Sequence, residues 1–436
     1  MTAILTAEPV TLATTERRAA DELREKTNAA TLRDTRRTAL RRIRNQEVTG
    51  SSPVNGSIPA SHRRMRLFSH ATLLLLVSTA LRAQCPAFSD AVYYNNMPGE
   101  PRAIAVADFN GDGKADLAIG GKDSGTIQIL FGDGNGAFPN SVLLDAKTPI
   151  NSLITADFNG DGKADIAAAT IDGIVILLNA GGGQFSETIY HAGEFPGAVA
   201  AGDFNGDGKL DLVAVNTASA DATVLLGNGD GSFHAMQQTY KMEARPLSVV
   251  VADFNRDGKL DFAVAKAGSA SISVFLGNGD GTFTPAPVAS GHFQPEWIDS
   301  ADFNGDGKPD LIVSYANTAL AAIFFGNGDG TFSSANDIPG GGALFVTVAD
   351  VNRDGVPDLL MPIFTGQDVQ LLLGKGDGTF SAPISLAAPL QPSAVAVGDF
   401  NGDGQMDLAI TNQGSNSLAV FLGDCPAITR KHAVRR

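Results

Sequence analysis

The chain has few of the residues on which thiolate-metal, redox and nucleophilic chemistry depend. Its 436 residues include two cysteines, six histidines and one tryptophan. The cysteines, Cys85 and Cys425, lie near opposite ends of the sequence. A zinc site needs about four close ligands and a redox centre needs a CxxC pair, so the cysteine content argues against both.

Charged residues are also scarce, at 18% of the chain against roughly 25% in ordinary globular proteins. The formal net charge is −15, but residues 1–66 carry 13 Lys and Arg against 7 Asp and Glu, so the remainder carries −21. A body this acidic repels phosphate backbones and anionic membrane surfaces and attracts divalent cations. We therefore expect no nucleic-acid partner.

Long apolar runs are missing except at residues 65–83, which begin with Met65 and Arg66 and end in small residues at Ala83. This run predicts a signal peptide, because its apolar stretch is shorter than the ~20 residues of a membrane-spanning helix. We expect a secreted or periplasmic protein without a membrane anchor. Residues 1–64 are interpreted as a disordered or misassigned extension and 426–436 as a short basic tail.

What the chain has in abundance is glycine, with 49 residues, and a segment that reads ADFNGDGKADLAIG at its first occurrence. The segment recurs seven times at intervals of 46 to 50 residues. Its leading aspartates are Asp108, Asp157, Asp203, Asp253, Asp302, Asp350 and Asp399. A fixed period of this length is typical of repeat architectures.

Each unit predicts four short strands separated by turn residues. In the fourth unit these are an apolar run up to Asp253, then 261–265, 272–276 and a strand after Phe283. The turn LGNGDGTF at 276–283 has glycines that suit a tight hairpin. Four such strands per unit, without helical periodicity, predict an all-β fold: a seven-bladed β-propeller of four-stranded antiparallel blades.

The DFNGDGxxD and FGNGDGTF elements resemble the FG-GAP/VCBS repeats of integrin α-subunit propellers and of many secreted bacterial proteins. The resemblance covers about residues 85–425. It implies a propeller that binds metal ions in the loops of one face and its ligands on the opposite face. The family is functionally broad, so the resemblance does not identify the ligand.

Closure of the ring can be predicted from the two ends of the repeat region. The seventh unit lacks a fourth strand, while Phe88 and Tyr93 resemble the start of one, so the N-terminal strand is expected to close the last blade. In that register Cys85 and Cys425 occupy neighbouring positions of one hairpin. We predict a disulfide between them, which would suit an exported protein; the alternative is two unpaired thiols.

The spacing D-x-N-x-D-G-x-x-D predicts a calcium loop, with side-chain oxygens at positions 1, 3, 5 and 9 and a backbone carbonyl at position 7. Oxygen-only ligation favours calcium over zinc, and we expect up to seven Ca²⁺ ions, one per blade. Solvated Asp and Asn turns are the alternative. The predicted ligands are Asp108, Asn110, Asp112, Lys114 and Asp116; Asp157, Asn159, Asp161, Lys163 and Asp165; Asp203, Asn205, Asp207, Lys209 and Asp211; Asp253, Asn255, Asp257, Lys259 and Asp261; Asp302, Asn304, Asp306, Lys308 and Asp310; Asp350, Asn352, Asp354, Val356 and Asp358; and Asp399, Asn401, Asp403, Gln405 and Asp407.

A candidate ligand site is suggested by the innermost strands. Five units have Ala or Ser five residues before the leading aspartate, whereas the fifth and sixth have Trp297 and Phe345. Asp299 lies on the same strand face as Trp297. Two aromatic rings and a carboxylate at one mouth of the channel predict a carbohydrate platform. The alternative is that these bulky side chains only fill the channel.

Three functions remain open. The favoured one is a binding or adhesion module for an extracellular glycan or protein; the others are a polysaccharide lyase and a passive structural module. The repeat region contains only His191, His234 and His292, and no nucleophile or carboxylate pair outside the repeated motif can be argued to be close. We therefore expect no enzymatic activity.

Overall fold

The computed structural model describes residues 86–287, 289–315, 320–333, 336–339 and 343–424. Within these ranges the single helical element is the 3₁₀ turn Gln413–Ser415, and no helix is long and apolar enough to cross a membrane. The predicted extension, signal peptide and basic tail lie outside the described residues. So do Cys85 and Cys425, and the disulfide stays a prediction.

The described strands form seven antiparallel sheets, one for each sequence unit. The first strand, β1 (Val92–Asn95), belongs to blade 7. Blade 1 comprises β2 (Pro101–Ala107), β3 (Asp116–Gly121), β4 (Thr126–Phe131) and β5 (Asn140–Asp145); blade 2 comprises β6 (Ile150–Ala156), β7 (Asp165–Thr170), β8 (Gly173–Gly181) and β9 (Gln184–Tyr190); blade 3 comprises β10 (Pro196–Gly202), β11 (Asp211–Asn216), β12 (Asp221–Gly227) and β13 (Phe233–Lys241).

The remaining blades repeat this meander. In blade 4 the outer strand is split into two short pieces, which both pair with the third strand. Blade 4 comprises β14 (Arg245–Ala252), β15 (Asp261–Ala267), β16 (Ser271–Gly277), β17 (Phe283–Pro285) and β18 (Ala289–Ser290); blade 5 comprises β19 (Pro295–Ala301), β20 (Asp310–Tyr315), β21 (Leu320–Phe324) and β22 (Asn336–Pro339); blade 6 comprises β23 (Thr347–Ala349), β24 (Asp358–Ile363), β25 (Asp368–Leu372) and β26 (Ile384–Ala387); blade 7 comprises β27 (Pro392–Gly398), β28 (Asp407–Asn412), β29 (Ser417–Phe421) and β1.

The ring closes as the sequence predicts. Strand β1 pairs antiparallel with β29, with Val92 opposite Val420, and so supplies the fourth strand of blade 7. Phe88 bridges Gly423, which confirms the register used to align the two chain ends. The seven-bladed all-β propeller, completed by the N-terminal strand, is therefore confirmed.

The interfaces between neighbouring blades hold the core. Seven buried hydrophobic clusters each join two adjacent blades. In six interfaces, the phenylalanine at loop position 2 packs against a phenylalanine near the start of the outer strand of the next blade, with ring centroids 5.3 to 6.3 Å apart. The pairs are Phe109–Phe185, Phe158–Phe233, Phe204–Phe283, Phe254–Phe332, Phe303–Phe380 and Phe400–Phe138.

The innermost strands of blades 1 to 5 share a β-bulge near their first residue. In β2, for example, the register shifts between Pro101 and Ala103, so Arg102 has no partner in the ladder. A bulge bends the strand locally and redirects the side chain of the extra residue. The five extra residues, called the bulge residues below, are Arg102, Asn151, Gly197, Leu247 and Glu296.

Candidate functional site

The seven acidic loops fold into one shape, held by hydrogen bonds to their own carboxylates. In the first loop, Asp108 Oδ1 accepts the N–H groups of Gly111 (2.7 Å) and Asp112 (3.1 Å), and Oδ2 accepts that of Gly113 (2.8 Å). Asn110 Oδ1 also accepts the N–H of Asp112 at 2.8 Å. Gly113 has φ +81°, a conformation that costs an L side chain ~1–2 kcal/mol. Contacts within the loop, made by the leading aspartate and the asparagine at position 3, therefore hold its conformation together with the glycine at position 6.

The aspartate at position 9 has a role that the sequence reading missed. In blade 1, Asp116 is fully buried; its Oδ2 accepts the N–H of Phe109 at 2.9 Å and its Oδ1 accepts the N–H of Gly132 at 2.8 Å. The carboxylate thus joins the loop to the start of the turn after the third strand. The other six blades repeat this clamp through Asp165, Asp211, Asp261, Asp310, Asp358 and Asp407.

Burial raises the pKa of all seven position-9 carboxyls, to about 6 for Asp261 and Asp358, and a neighbouring loop aspartate adds repulsion in each blade. In the first five loops the lysine at position 7 partly offsets this charge by pairing with the position-5 aspartate. The shortest such pair joins Lys163 Nζ to Asp161 at 2.7 Å. Valine and glutamine replace this lysine in blades 6 and 7, at Val356 and Gln405.

The donor set of the loops suits a hard cation, because every side-chain donor is a carboxylate or amide oxygen. A carboxylate offers about four acceptor sites, so the position-9 carboxylate, which accepts two backbone N–H hydrogen bonds, could also coordinate a metal ion. Among the described residues, however, no three acidic, His or Cys side chains form a group that could hold a metal ion. The seven calcium sites stay a prediction.

The predicted aromatic site lies in the central channel. Trp297, Asp299 and Phe345 all line one cavity of about 200 Å³, together with residues of blades 1, 2 and 7. The Trp297 and Phe345 rings pack edge to face with centroids 5.1 Å apart. Phe345 is only 7% exposed, whereas Trp297 is partly exposed and packs against the cluster between blades 5 and 6.

Asp299 is an acidic group inside this channel. Its Oδ1 accepts the N–H of Ser300 at 2.8 Å and its Oδ2 accepts that of Val348 at 3.4 Å. Burial raises the pKa of Asp299 to about 6, because the charged form loses solvent.

A wider pocket of about 410 Å³, called the mouth pocket below, opens at the mouth of the channel, on the face opposite the acidic loops. All five bulge residues line it, joined by Phe195 and Gln294 from the links between blades and by Arg245 at the start of β14. The aromatic site was predicted from the fifth residue before each leading aspartate, whereas the bulge position is the sixth. The unusual variety there, with Arg, Asn, Gly, Leu and Glu, was the signal that could have found this pocket.

Arg102 connects the pocket with the channel, since it lines both cavities. Its guanidinium carbon lies 5.2 Å from the centroid of the ring of Phe345, which precedes the innermost strand of blade 6. The Nε atom of Arg102 is buried and has no hydrogen-bond partner. Burial lowers the pKa of Arg102, while Glu296 and Glu100 act in the opposite direction. Burial also raises the pKa of Glu296, against the attraction of Arg102 and Arg245.

Three segments that lead from one blade to the next, 191–195, 241–245 and 292–296, vary in sequence and have two different roles. Phe195, Arg245 and Glu296, which end the three variable segments, lie in the mouth pocket. His292 instead contacts Asp337, with Nε2 2.6 Å from Oδ1, and packs edge to face on Tyr315 at 5.2 Å.

These features define a repeat propeller with one loop face of fixed sequence and one variable face. The FG-GAP-like repeat family matches residues 108–168, 157–214, 203–264, 253–313, 302–361 and 363–410, which together span more than half of the chain. The chain belongs to this family of FG-GAP repeat β-propellers. No curated protein matches it.

Several solved structures share the fold at low identity. BBS1N in complex with ARL6DN, soaked with mercury, is 12% identical with a TM-score of 0.57, covering 78% of this chain and 97% of that one. A lectin from Agrocybe aegerita that recognises non-reducing terminal N-acetylglucosamine is 22% identical with a TM-score of 0.52, covering 73% and 87%. A putative 6-phosphogluconolactonase from Bacteroides uniformis is 13% identical with a TM-score of 0.53, covering 68% and 88%. These similarities show the fold alone.

Proposed function

We propose that this protein is a secreted, calcium-stabilised propeller that binds an extracellular glycan or protein through its variable face. The carrying observation is the mouth pocket of about 410 Å³, which lies opposite the acidic loops and is lined by redirected side chains. Concave pockets with an apolar wall and a few convergent polar groups are the usual form of ligand sites. Binding rather than catalysis is proposed, because the described lining of the pocket contains no histidine or tyrosine to act as a base and no nucleophile paired with one.

Two of the similar structures fit this proposal. The Agrocybe aegerita lectin recognises a terminal sugar, and BBS1N is seen with a protein partner. Calcium fits as a structural element: the loops lie on the other face, so we expect the metals to hold the blades and not to touch the ligand.

A glycan-array screen and a pull-down from extracellular protein, each with calcium and with EDTA, test the proposal. We expect a ligand in one of the two screens, and weaker retention in EDTA as the scaffold loosens. An assay for unsaturated sugar products on the same glycans tests the lyase alternative. Product formation would assign catalysis, and a blank in both screens would leave the structural module.

Trp297→Ala separates a binding platform from a channel filler. If Trp297 contacts the ligand, Trp297→Ala should strongly weaken binding and leave the melting temperature nearly unchanged. Removal of an aromatic side chain that only fills space costs ~3–5 kcal/mol of stability. A large loss of stability with intact affinity would move the recognition surface away from the channel. Phe262→Ala is the matched control, because Phe262 is buried between blades 3 and 4, lines neither cavity, and should lose stability without losing affinity.

A further inference from the structure

We propose that the mouth pocket binds an acidic saccharide, with Arg102 pairing to the carboxylate of a uronic acid. This assignment rests on the proposed function, since it names the ligand class of the same binding face. It extends that function from a glycan or protein in general to one chemical class.

The first argument is that the guanidinium of Arg102 is incompletely hydrogen-bonded. Its Nε is buried without a hydrogen-bond partner, and its described contact is with the apolar face of Phe345. Buried polar groups are nearly always hydrogen-bonded, so a buried N–H without an acceptor is costly. A ligand carboxylate at this point would satisfy the planar fork of N–H donors, which matches a carboxylate in two parallel bonds. The side chain is thus placed as a receptor for an anion.

The second argument is the balance of charge around the pocket. Arg102 and Arg245 face Glu296 across the pocket, which leaves one net positive charge; Lys122 also lines it but pairs with Glu100 at 3.3 Å. One excess positive charge suits a single carboxylate and does not suit a polyanion. Glu296 would accept hydrogen bonds from ligand hydroxyls, which a uronic acid carries beside its carboxylate. An acidic peptide offers fewer hydroxyls to meet Glu296.

The third argument is the size and lining of the pocket. The volume of the pocket, about 410 Å³, falls within the range of small-ligand sites. Phe195 stands in its lining with 44% of its surface exposed. An exposed aromatic face is suited to packing against the apolar C–H surface of a sugar ring.

The test is calorimetric titration of the propeller in calcium buffer with the methyl glycosides of galacturonate and glucuronate, which carry one carboxylate each, matched with the neutral methyl galactoside and methyl glucoside. Arg102→Gln is the test variant. Arg256→Gln, an exposed arginine on the loop face, is the control. We expect at least one uronate to bind about tenfold or more tightly than its neutral match, and Arg102→Gln to lose this difference, as is typical for a charged hydrogen bond. We also expect Arg102→Gln to melt at nearly the same temperature, because it removes a partly buried cation whose Nε has no hydrogen-bond partner; removal of a structural arginine would lower the melting temperature.

Four outcomes would overturn the inference. These are equal affinity for acidic and neutral sugars, full binding by Arg102→Gln, a marked loss of stability in that variant, and binding of a Glu- and Asp-rich peptide in place of every uronate tested. If a neutral glycan or a protein binds independently of Arg102, the inference fails while the proposed function stands. If no glycan or protein binds in any screen, both fail.

Discussion

Replacing Asp211 with alanine should destabilise the propeller even when no metal is present. Asp211 is fully buried in blade 3, where Oδ2 accepts the N–H of Phe204 at 2.9 Å and Oδ1 that of Gly227 at 2.8 Å. A buried donor left without an acceptor costs ~1–3 kcal/mol, so two cost ~2–6 kcal/mol. Relief of the buried charge, whose pKa is already raised by burial, offsets part of this. We expect a net loss of about 2–4 kcal/mol.

Asp207 of the same loop is the matched control. It is a predicted metal ligand too, but it is exposed and accepts only local bonds, including the N–H of Lys209 at 3.0 Å. Asp207→Ala should therefore leave the urea midpoint in EDTA nearly unchanged. In calcium, both variants should lose stability relative to the wild type.

Urea unfolding of the wild type and both variants, with excess EDTA and with calcium, gives the four comparisons needed. The reasoning would be refuted if Asp211→Ala matched the wild type in EDTA and differed only in calcium. That result would make Asp211 a metal ligand without a separate structural role. An Asp207→Ala loss in EDTA as large as that of Asp211→Ala would equally show that burial does not distinguish the two carboxylates.

Four further predictions follow from the loops, the channel and the chain ends. With a Kd of ~10⁻⁴ M, millimolar calcium adds about 1.4 kcal/mol of stability per site, so seven sites add roughly 10 kcal/mol. The melting temperature measured by calorimetry should therefore fall by tens of degrees in EDTA, and an unchanged melting temperature would show that calcium does not stabilise the propeller. Because the pKa of Asp299 is raised from 3.8 to about 6 on folding, its contribution to the free energy of unfolding is fully present below pH 3.8 and is lost as the pH rises through about 6. In denaturant titrations, Asp299→Asn should therefore gain at most about 3 kcal/mol of stability at pH 8 and almost nothing at pH 4. An equal gain at both pH values would contradict this titration. Arg256 holds φ +60° at a position where five loops have glycine, so Arg256→Gly should gain about 1 kcal/mol, and a loss would mean that its side-chain contacts outweigh the strain. Mass spectrometry without reduction should find Cys85 joined to Cys425; two free thiols would disprove the pairing.

The architecture was predictable because the sequence repeats its turn chemistry seven times. Each unit carries its own strand pattern, and the register that aligned Phe88 with the end of the seventh unit is the one seen in the Phe88–Gly423 bridge. Local signals of this kind depend on backbone preferences, which do not change with tertiary context.

The site was harder to read for a physical reason. A strict alternation of side chains was assumed along the inner strands, which put Trp297 and Asp299 on the channel side, and both do line the channel cavity. The bulge breaks that alternation one residue earlier, so Glu296 and Arg102 also line the pocket at the channel mouth. The second role of Asp116 was likewise hidden, because its partner Gly132 is 16 residues away and becomes a neighbour only when the third strand folds back.

The bulges have a consequence for how this scaffold could be altered. A residue that has left the hydrogen-bonded ladder contributes little to strand pairing, so its side chain can change without disturbing the blade beneath it. Three such positions, Arg102, Leu247 and Glu296, surround one opening. Asn151 and Gly197 are best kept, because Asn151 Nδ2 donates a hydrogen bond to the Pro196 carbonyl and a side chain at Gly197 would collide with Thr217. A library randomised at the other three codons should give variants that fold alike and differ in what they capture. Selection for new ligands could then proceed on an unchanged frame, with Arg102 as the position whose exchange most changes the charge of the captured molecule.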